Sequence, residues 1–245
     1  MVSKNQIKLI TSLQQKKYRQ KHQLFIAEGV KVIQELLQSN FVLEQLFVTE
    51  TIFSEVSDSK KTTISEGDLK KITCLATPNN CLALFHIPVQ QKFQLKDLTV
   101  VLDDIRDPGN FGTIIRLCDW YGVKNLICSE NTVDLYNPKV IQATMGSVTR
   151  VHVYYENLEQ FLASTKLPIY GTFMDGKNVY SEKLDANSMI ILGNEANGIS
   201  ESIEKMVTHK IAIPKFGALQ KAESLNVATA TAIFLSEFKR NTIEK

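Results

Sequence analysis

Two short apolar strands near the C-terminus constrain this chain most, because each ends in glycine and polar residues. Residues 189–192 (MIIL) run directly into GNEANG at 193–198, and residues 211–213 (IAI) stop at Pro214. The sequence ESLNV follows at 223–227 and leads into an apolar, small-residue helix. Parallel strands that end in this way form a crevice where α/β proteins bind small ligands. We therefore expect a ligand site at these strand ends.

Composition and charge exclude several classes of protein. The chain has 245 residues, of which 44% are hydrophobic and 22% charged, as is typical of a globular protein of one or two domains. No apolar run approaches the ~20 residues of a membrane span, and no apolar signal segment follows Met1. We expect a cytoplasmic protein that has no membrane partner.

The four cysteines, at positions 74, 81, 118 and 128, show neither C-x-x-C spacing nor a nearby histidine pair. This pattern indicates neither a zinc site nor a redox pair, so we expect no bound metal. Three of the cysteines lie in apolar or helical surroundings, where free cysteine packs as a small core residue.

Periodicity predicts an α/β protein in two parts. In the first part it predicts helices at 5–16, 28–38 and 66–72 and strands at 24–27, 46–48 and 81–87. Pro88 and the glutamines after it break the pattern. We therefore predict a small domain at 1–90, a linker at 91–97 and a second domain at 98–245.

The second part is predicted to contain a mostly parallel sheet with helices on both faces. Residues 98–102 (LTVVL) are a continuous apolar run of the buried, parallel kind, and further strands are predicted at 126–128, 169–173, 189–192 and 211–213. Helices are predicted after the glycine turn at 109–112, from Pro138 to Met145, from Leu158 to Leu162 and from Val227 to Phe238.

A strand followed by a glycine turn and a helix also suggests dinucleotide binding. Gly109 and Gly112 resemble part of G-x-G-x-x-G, and Glu130 lies where a ribose-binding acid is expected. The turn has only two of the three glycines and contains Pro108. Moreover, an NAD-binding oxidoreductase leaves the polar loops near the C-terminus unexplained, so this alternative is the weaker one.

Three stretches taken together resemble the ordered motifs of the SpoU/TrmH family of RNA ribose 2′-O-methyltransferases, in the SPOUT superfamily. They are DPGNFGTIIR at 107–116, LGNEANGI at 192–199, and IP at 213–214 with ESLNV at 223–227. DLYNPK at 134–139 and MGS at 145–147 are also similar to family features. The first domain, with KYR at 17–19 and FIAEG at 25–29, resembles the family's substrate-binding domain.

The resemblance implies a fold, a cofactor and a homodimer. The fold is a small N-terminal α/β RNA-binding domain followed by an α/β SPOUT domain with a parallel sheet and a deep C-terminal trefoil knot. The cofactor is S-adenosylmethionine, held largely by backbone groups. The implied cofactor-binding residues are Thr172, Gly193, Asn194, Gly198, Ile213 and Leu225, and the implied catalytic residues are Asn110, Arg116, Glu195, Ser224 and Asn226.

Several roles stay open at this point. The family mechanism has Arg116 act on the 2′-hydroxyl, but arginine stays protonated, so a clamp on phosphate or hydroxyl is an equal alternative. Ser224 is either a site residue or the cap of the last helix. The loop between Gly217 and Ser224 is longer than the family pattern, and Lys215 stands where methionine is usual, so its cofactor contacts are undetermined.

The expected substrate is RNA, because RNA is the common polymer that presents a 2′-hydroxyl. The first 21 residues carry six basic side chains and no acidic one. We predict RNA contacts by Lys16, Lys17, Arg19 and Lys21, with stacking on a base by Tyr18. The N-terminal domain favours ribosomal RNA over transfer RNA. A non-catalytic RNA-binding or ribosome assembly factor on the same fold is the other alternative.

Overall fold

The computed structural model describes residues 2–90, 97–217 and 223–240. The chain divides into two compact units, one of Met1–Gln90 with Asp134–Thr149 and one of Gln91–Val133 with Arg150–Lys245. The segment Asp134–Thr149 therefore packs with the first unit, although the sequence-based division assigns it to the second domain. Most of the predicted linker lies outside the described residues, and the domain boundaries stay a prediction.

The first unit is built on a mixed four-stranded sheet. Its elements within residues 2–90 are α1 (Lys4–Ser12), α2 (Lys16–His22), β1 (Leu24–Glu28), α3 (Val30–Leu37), β2 (Leu43–Val48), β3 (Lys61–Thr63), α4 (Glu66–Ile72) and β4 (Cys81–His86). The strand order is β1-β4-β2-β3, in which β4 is antiparallel to both neighbours and β2–β3 is parallel. Ile10, Leu13 and Ile72 are fully buried in its core.

The second unit is built on a six-stranded sheet. The remaining elements are β5 (Thr99–Leu102), α5 (Pro108–Trp120), β6 (Asn125–Ser129), α6 (Pro138–Thr144), β7 (His152–Glu156), α7 (Leu158–Ala163), β8 (Ile169–Asn178), β9 (Met189–Leu192), α8 (Glu201–Glu204), β10 (His209–Ala212) and α9 (Val227–Arg240). Of these, α6 belongs to the first unit. The order is β10-β8-β9-β5-β6-β7 and every pairing is parallel, which confirms the predicted parallel sheet.

The centre of the large sheet places the predicted ligand loops side by side. Strands β5 and β9 are apolar throughout, apart from Thr99, and are buried at every position, because both faces of a central parallel strand are covered. Their last residues, Leu102 and Leu192, are partners in the parallel register. After β5 the chain adds β6 and β7 on one side, whereas β9, β8 and β10 lie on the other. Ligands of α/β proteins bind at such a switch point. The topology is compatible with the knot that the resemblance implies.

Three cysteines are core residues, as predicted. Cys81, Cys118 and Cys128 are fully buried, and burial raises the pKa of the Cys118 thiol to about 12. Within residues 2–90, 97–217 and 223–240, no helix is long and apolar enough to span a bilayer. The same residues include no group of three or more His, Cys, Asp or Glu side chains placed to hold a metal ion. Metal independence stays a prediction.

Candidate active site

The loop after β9 is a tight, self-bonded unit. Asn194 and Gly198 exchange both backbone hydrogen bonds, at 3.0 and 2.8 Å. The side-chain oxygen of Asn194 accepts from the amides of Ala196 and Asn197, at 2.9 and 3.2 Å. Gly198 has a φ of +71°, in the left-handed region that favours glycine. Glu195 lies between Asn194 and Ala196 and is therefore held on a fixed loop.

Gly193 is required by the same loop. A Cβ atom at this position would lie 2.2 Å from the carbonyl carbon of Gly198 and 2.2 Å from the backbone nitrogen of Ile199. Both contacts are with backbone, which cannot move aside as a flexible side chain can. The resemblance implies that Gly193 contacts the cofactor through its backbone. The structure adds that the loop itself closes over this glycine.

The start of α5 places Asn110 toward that loop. Asp107 is the N-cap of α5, and its carboxylate accepts a hydrogen bond from the Asn110 amide at 2.7 Å. Pro108 occupies the first turn, where its missing N–H is not needed. The cap fixes the first turn, so the Asn110 side chain leaves the helix in one direction.

The side-chain amide of Asn110 joins two further motifs. Its Nδ2 donates to Oε1 of Glu195 at 2.7 Å, and its Oδ1 accepts from Nδ2 of Asn226 at 2.8 Å. Asn226 uses its own Oδ1 to accept from the amides of Ala228 and Thr229 at the start of α9. Three segments that are distant in sequence therefore meet in one chain of hydrogen bonds. Three of the five predicted catalytic residues are brought together.

Asn226, and not Ser224, caps the last helix. The backbone carbonyl of Asn226 accepts from Ala230 at 2.9 Å, as the first helical hydrogen bond requires. The capping alternative for Ser224 is therefore wrong. Ser224 is exposed two residues before the cap, and its predicted site role stays a prediction.

Arg116 is on α5 but on a different side from Asn110. Six residues separate them, which corresponds to a rotation of about 240° and a rise of about 9 Å along the helix. The Arg116 side chain is exposed, and it forms no hydrogen bond or ion pair with the described residues. The structure does not bring Arg116 into the Asn110 network.

Of the other predicted cofactor residues, Thr172 is hydrogen-bonded within the sheet, Ile213 borders a pocket and Leu225 is exposed. The hydroxyl of Thr172 donates to the carbonyl of Ile191 at 3.0 Å, so its lone pairs remain free to accept. Ile213 lines a cavity of about 370 Å³ together with Met174, Gly176, Asn178, Ala212, Pro214 and Lys215. Ligand pockets commonly have a volume of roughly 300–1,000 Å³. Leu225 is 49% exposed, which is high for a leucine and leaves its side chain available to a ligand.

Two family models match the chain. Residues 97–236 match the SpoU rRNA Methylase family, and residues 4–83 match the MRM3-like substrate binding domain. The first match covers more than half of the chain. The chain belongs to the SpoU rRNA methylase family.

The similarity to known proteins extends over both parts of this SpoU methylase. The chain is 29% identical over 243 residues to the Bacillus subtilis protein named 23S rRNA (guanosine(2553)-2′-O)-methyltransferase RlmP. The match covers 95% of this chain and 96% of that one. A TrmH-family structure from Porphyromonas gingivalis matches with a TM-score of 0.89 at 35% identity, covering 98% and 99% of the two chains. An AdoMet-bound rRNA methyltransferase from Sinorhizobium meliloti matches with a TM-score of 0.87 at 26% identity, covering 100% and 98%.

Family membership makes the chain an RNA methyltransferase whose methyl donor is S-adenosylmethionine. This excludes the NAD alternative. The residues present fit the cofactor, because Ile213 lines a pocket of ligand size and the Gly193–Gly198 loop is exposed at residues 195–198. Gly198 adds to this fit, since no atom lies within 4 Å of the position that a Cβ would occupy there.

Arg19 of the SpoU methylase has a structural role. Its side chain is 3% exposed, and its Nε donates to Oδ2 of Asp134 at 2.9 Å. Its Nη1 donates to the backbone carbonyls of Leu13 and Gln14, at 2.8 and 2.9 Å. Nη2 also donates to Asp134, so four of the five N–H groups are bonded, and burial keeps the side chain away from phosphate. The predicted RNA contact of Arg19 is therefore wrong, and the reason is its burial against Asp134.

The lysines around Arg19 remain candidates for RNA contacts. Lys16, Lys17 and Lys21 are exposed on α2, and Lys17 Nζ lies 4.8 Å from the centre of the Tyr18 ring. This cation–π contact orders a positive charge beside an aromatic face. The surface can be electrostatically complementary to RNA, and this role stays a prediction for the three lysines and Tyr18.

Sequence reasoning assigned no role to three aspartates that shape the site. Asp107 caps α5, Asp103 contacts Leu192 and Ser200 on the two sides of the Gly193–Gly198 loop, and Asp104 contacts Asn194 within it. An aspartate directly before proline is a recognisable helix-start signal, which would have identified Asp107. Asp103 and Asp104 give no local signal, because their partners are about 90 residues away.

Proposed function

We propose that the chain methylates a ribose 2′-hydroxyl of ribosomal RNA, in the large subunit. The similarity to a 23S rRNA enzyme over nearly the full length of both chains supports this substrate, and so does the match to a substrate-binding domain at residues 4–83. The observation that carries the proposal is the Asn110 bridge, which joins the three family motifs in one site. An assembly factor that had lost catalysis would have no need to retain this bridge.

The residues must make a poor nucleophile reactive. S-adenosylmethionine supplies an electrophilic methyl group. A ribose hydroxyl is weakly nucleophilic at neutral pH, so the site must orient it and stabilise negative charge on its oxygen. Arginine side chains carry a permanent positive charge in proteins, so we assign to Arg116 an electrostatic clamp on that oxygen or on the adjacent phosphate, rather than the role of a base.

Asn110, Glu195 and Asn226 orient the acceptor ribose. Asn110 is fixed at both ends of its amide, so it holds the Glu195 carboxylate in one position. One oxygen of that carboxylate accepts from Asn110, and the other is available to accept the hydrogen bond of the ribose hydroxyl. Ser224, exposed near Asn226, contributes a hydroxyl to the same acceptor side.

The cofactor is held by the loop after β9, by β8 and by the segment after β10. We assign Gly193, Asn194 and Gly198 to its backbone contacts and Thr172 to a hydroxyl contact. Ile213 and Leu225 are assigned to the apolar walls around its adenine. The exposed Leu225 and the pocket that Ile213 lines support this assignment.

A homodimer is the proposed assembly, and the cytoplasm is the proposed location. Trp120 at the end of α5 is 84% exposed, which is unusual for tryptophan and is explained if a second copy covers it. Light scattering at micromolar concentration measures the mass directly. A monomer at that concentration overturns the dimer.

The test of the proposed function is methyl transfer to three kinds of RNA. Wild type, Arg116→Ala and the control Arg240→Ala are incubated with labelled S-adenosylmethionine and ribosomal particles, free rRNA or tRNA. We expect label in rRNA at a ribose 2′-oxygen, with the rate of Arg116→Ala lowered about 10²–10³-fold and Arg240→Ala unaffected. Label in tRNA alone favours the tRNA alternative. No transfer to any RNA, together with tight RNA binding, favours the assembly factor.

A further inference from the structure

Asp103 is a buried carboxylate in the second unit to which the proposed reaction assigns no role. It follows β5 directly, at the carboxyl edge of the sheet, and is only 6% exposed. A buried acidic side chain requires hydrogen-bond partners to offset its lost hydration. The identity of those partners indicates what this residue does.

Asp103 connects the two ends of the segment that contains the cofactor loop. Its backbone amide donates to the carbonyl of Leu192 at 2.9 Å, immediately before the loop. Its Oδ2 accepts from the amide of Ser200 at 2.8 Å, two residues after the loop. Ser200 is the N-cap of α8, and its own side chain makes no capping hydrogen bond. Asp103 therefore satisfies the backbone N–H of the N-cap residue of α8, and fixes the chain at that point.

Asp104, the next residue, is hydrogen-bonded to a residue within the loop. The backbone carbonyl of Asp104 accepts from Nδ2 of Asn194 at 2.8 Å. Asp104 has a φ of +60°, a conformation that costs energy for a residue other than glycine and that aspartate tolerates better than most. Its amide donates to Oγ of Ser129 at 2.8 Å, which fixes this turn on β6. Two successive residues thus anchor the loop at Asn194 and at Ser200.

We propose that Asp103 is a positioning residue for methyl transfer, acting through the loop from Gly193 to Gly198. The loop presents Glu195 to Asn110 and backbone groups to the cofactor, so a change in its position affects both. A carboxylate suits this task because it only accepts hydrogen bonds, whereas an amide can turn and present an N–H to the Ser200 N–H. The proposal rests on the proposed function.

The test compares Asp103→Ala and Asp103→Asn with a matched control, Asp68→Ala. Asp68 is a buried carboxylate in the first unit, 8% exposed, that likewise accepts from a backbone amide, that of Val2. Calorimetry gives the Kd for S-adenosylmethionine, a transfer assay gives kcat, and thermal unfolding gives stability. All titrations are made well below the lowest Tm, so that only folded protein is compared.

We expect Asp103→Ala to raise the Kd for S-adenosylmethionine at least tenfold and to lower kcat at least tenfold. Asp103→Asn should recover most of both, because its Oδ1 can still accept from Ser200. Asp68→Ala should lose stability while keeping the wild-type Kd. A wild-type Kd and kcat in folded Asp103→Ala overturn the positioning role. If the wild-type protein itself binds no S-adenosylmethionine, the proposed function fails instead, and the two failures are thereby distinguished.

Discussion

Asn226 donates from its Nδ2 to Oδ1 of Asn110 across 116 residues of sequence, at 2.8 Å. The same Asn226 caps α9 with its Oδ1, so one amide serves both the helix and the site. Aspartate caps helices about as well as asparagine but has no N–H to donate. The substitution Asn226→Asp therefore separates the two roles.

We predict that Asn226→Asp folds with nearly wild-type stability and loses turnover about 10²-fold, because Asn110 is no longer held. Thermal unfolding and a methyl-transfer assay measure the two effects. Asn157→Asp is the matched control, because Asn157 caps α7 through Gln160 and lies outside the site. Equal turnover in the two variants would show that the bridge is not needed for catalysis.

Gly193→Ala should weaken S-adenosylmethionine binding at least tenfold. A single methyl group must displace the backbone at Gly198 and Ile199, which reshapes the loop. The control is Gly67→Ala in α4 of the first unit, because a Cβ there would make only an ordinary contact of 3.8 Å with Oγ of Ser65 and its φ is not in the left-handed region. Calorimetry that shows equal affinities for both variants contradicts the placement of the cofactor on this loop.

Lys16, Lys17 and Lys21 should contribute to the salt dependence of RNA binding, and Arg19 should not. When a substitution removes one lysine–phosphate interaction, the slope of log affinity against log salt decreases in magnitude by roughly 0.7–0.9. We predict a shallower slope for the triple alanine variant of the lysines. An unchanged slope would show that the α2 lysines face solvent and do not contact RNA phosphates.

Arg19→Met should instead destabilise the first unit. It leaves Asp134, which is 19% exposed, without its cation, and such a loss typically costs about 3–5 kcal/mol. Urea unfolding measures this cost, and Asp134→Asn in the same background should recover part of it. A stable Arg19→Met variant with weakened RNA binding would restore the original RNA-binding prediction.

Glu28 should make stability depend on pH. Burial, the largest effect, raises the pKa of its carboxyl above the ordinary 4.5, although Thr73 and the Cys74 amide donate to it. The native state thus binds this proton more tightly than the unfolded chain. The contribution of Glu28 to the free energy of unfolding is complete below pH 4.5 and is lost as the pH rises through the raised pKa. Urea unfolding from about pH 4 to about pH 8 should show a flatter profile for Glu28→Gln, whereas the exposed Glu66→Gln should leave it unchanged.

Thr99→Val should stabilise the second unit. The Thr99 hydroxyl is fully buried and has no hydrogen-bond partner among the described residues. Replacing it by a methyl group removes an unpaired polar group, with a gain of about 1 kcal/mol and a rise in Tm of about 2–4 °C. Thr231→Val should instead lower the stability, because the buried Thr231 hydroxyl donates to the Val227 carbonyl at 2.7 Å. Calorimetric scans that show the same change in Tm for both variants would contradict this prediction.

Local signals in the sequence located many of the elements. The cap at Ser65 and the helix Glu66–Ile72 are confirmed at the predicted positions, as is the strand Met189–Leu192. These elements carry strong local signals, a capping residue in one case and a continuous apolar run in the other. The sequence does not predict β3, which has only three residues, or β7, whose residues HVYYE form no continuous apolar run.

Features that depend on contacts between residues distant in sequence could not be predicted from the sequence. One helix was predicted from Asn5 to Lys16, whereas α1 ends at Ser12 and α2 begins at Lys16. The carbonyls of Leu13 and Gln14 are bonded by Arg19, which is itself held by Asp134, 115 residues away. In the site, the motifs predicted which residues matter. The Asn110 bridge and the role of Asp103 depend on side-chain directions that spacing does not encode.

The segment Asp134–Thr149 belongs to the same compact unit as residues 2–90, although more than forty residues of the other unit intervene in the chain. Within that unit Arg19 pairs with Asp134, and the Phe25 ring lies 4.8 Å from the Tyr136 ring. A proteolytic nick between positions 90 and 97 therefore severs one covalent connection and leaves the two fragments bound to each other. They should co-elute in buffer and separate only in denaturant. By the same reasoning, a single genetic crossover at this point cannot exchange the first unit intact, because part of it is encoded downstream.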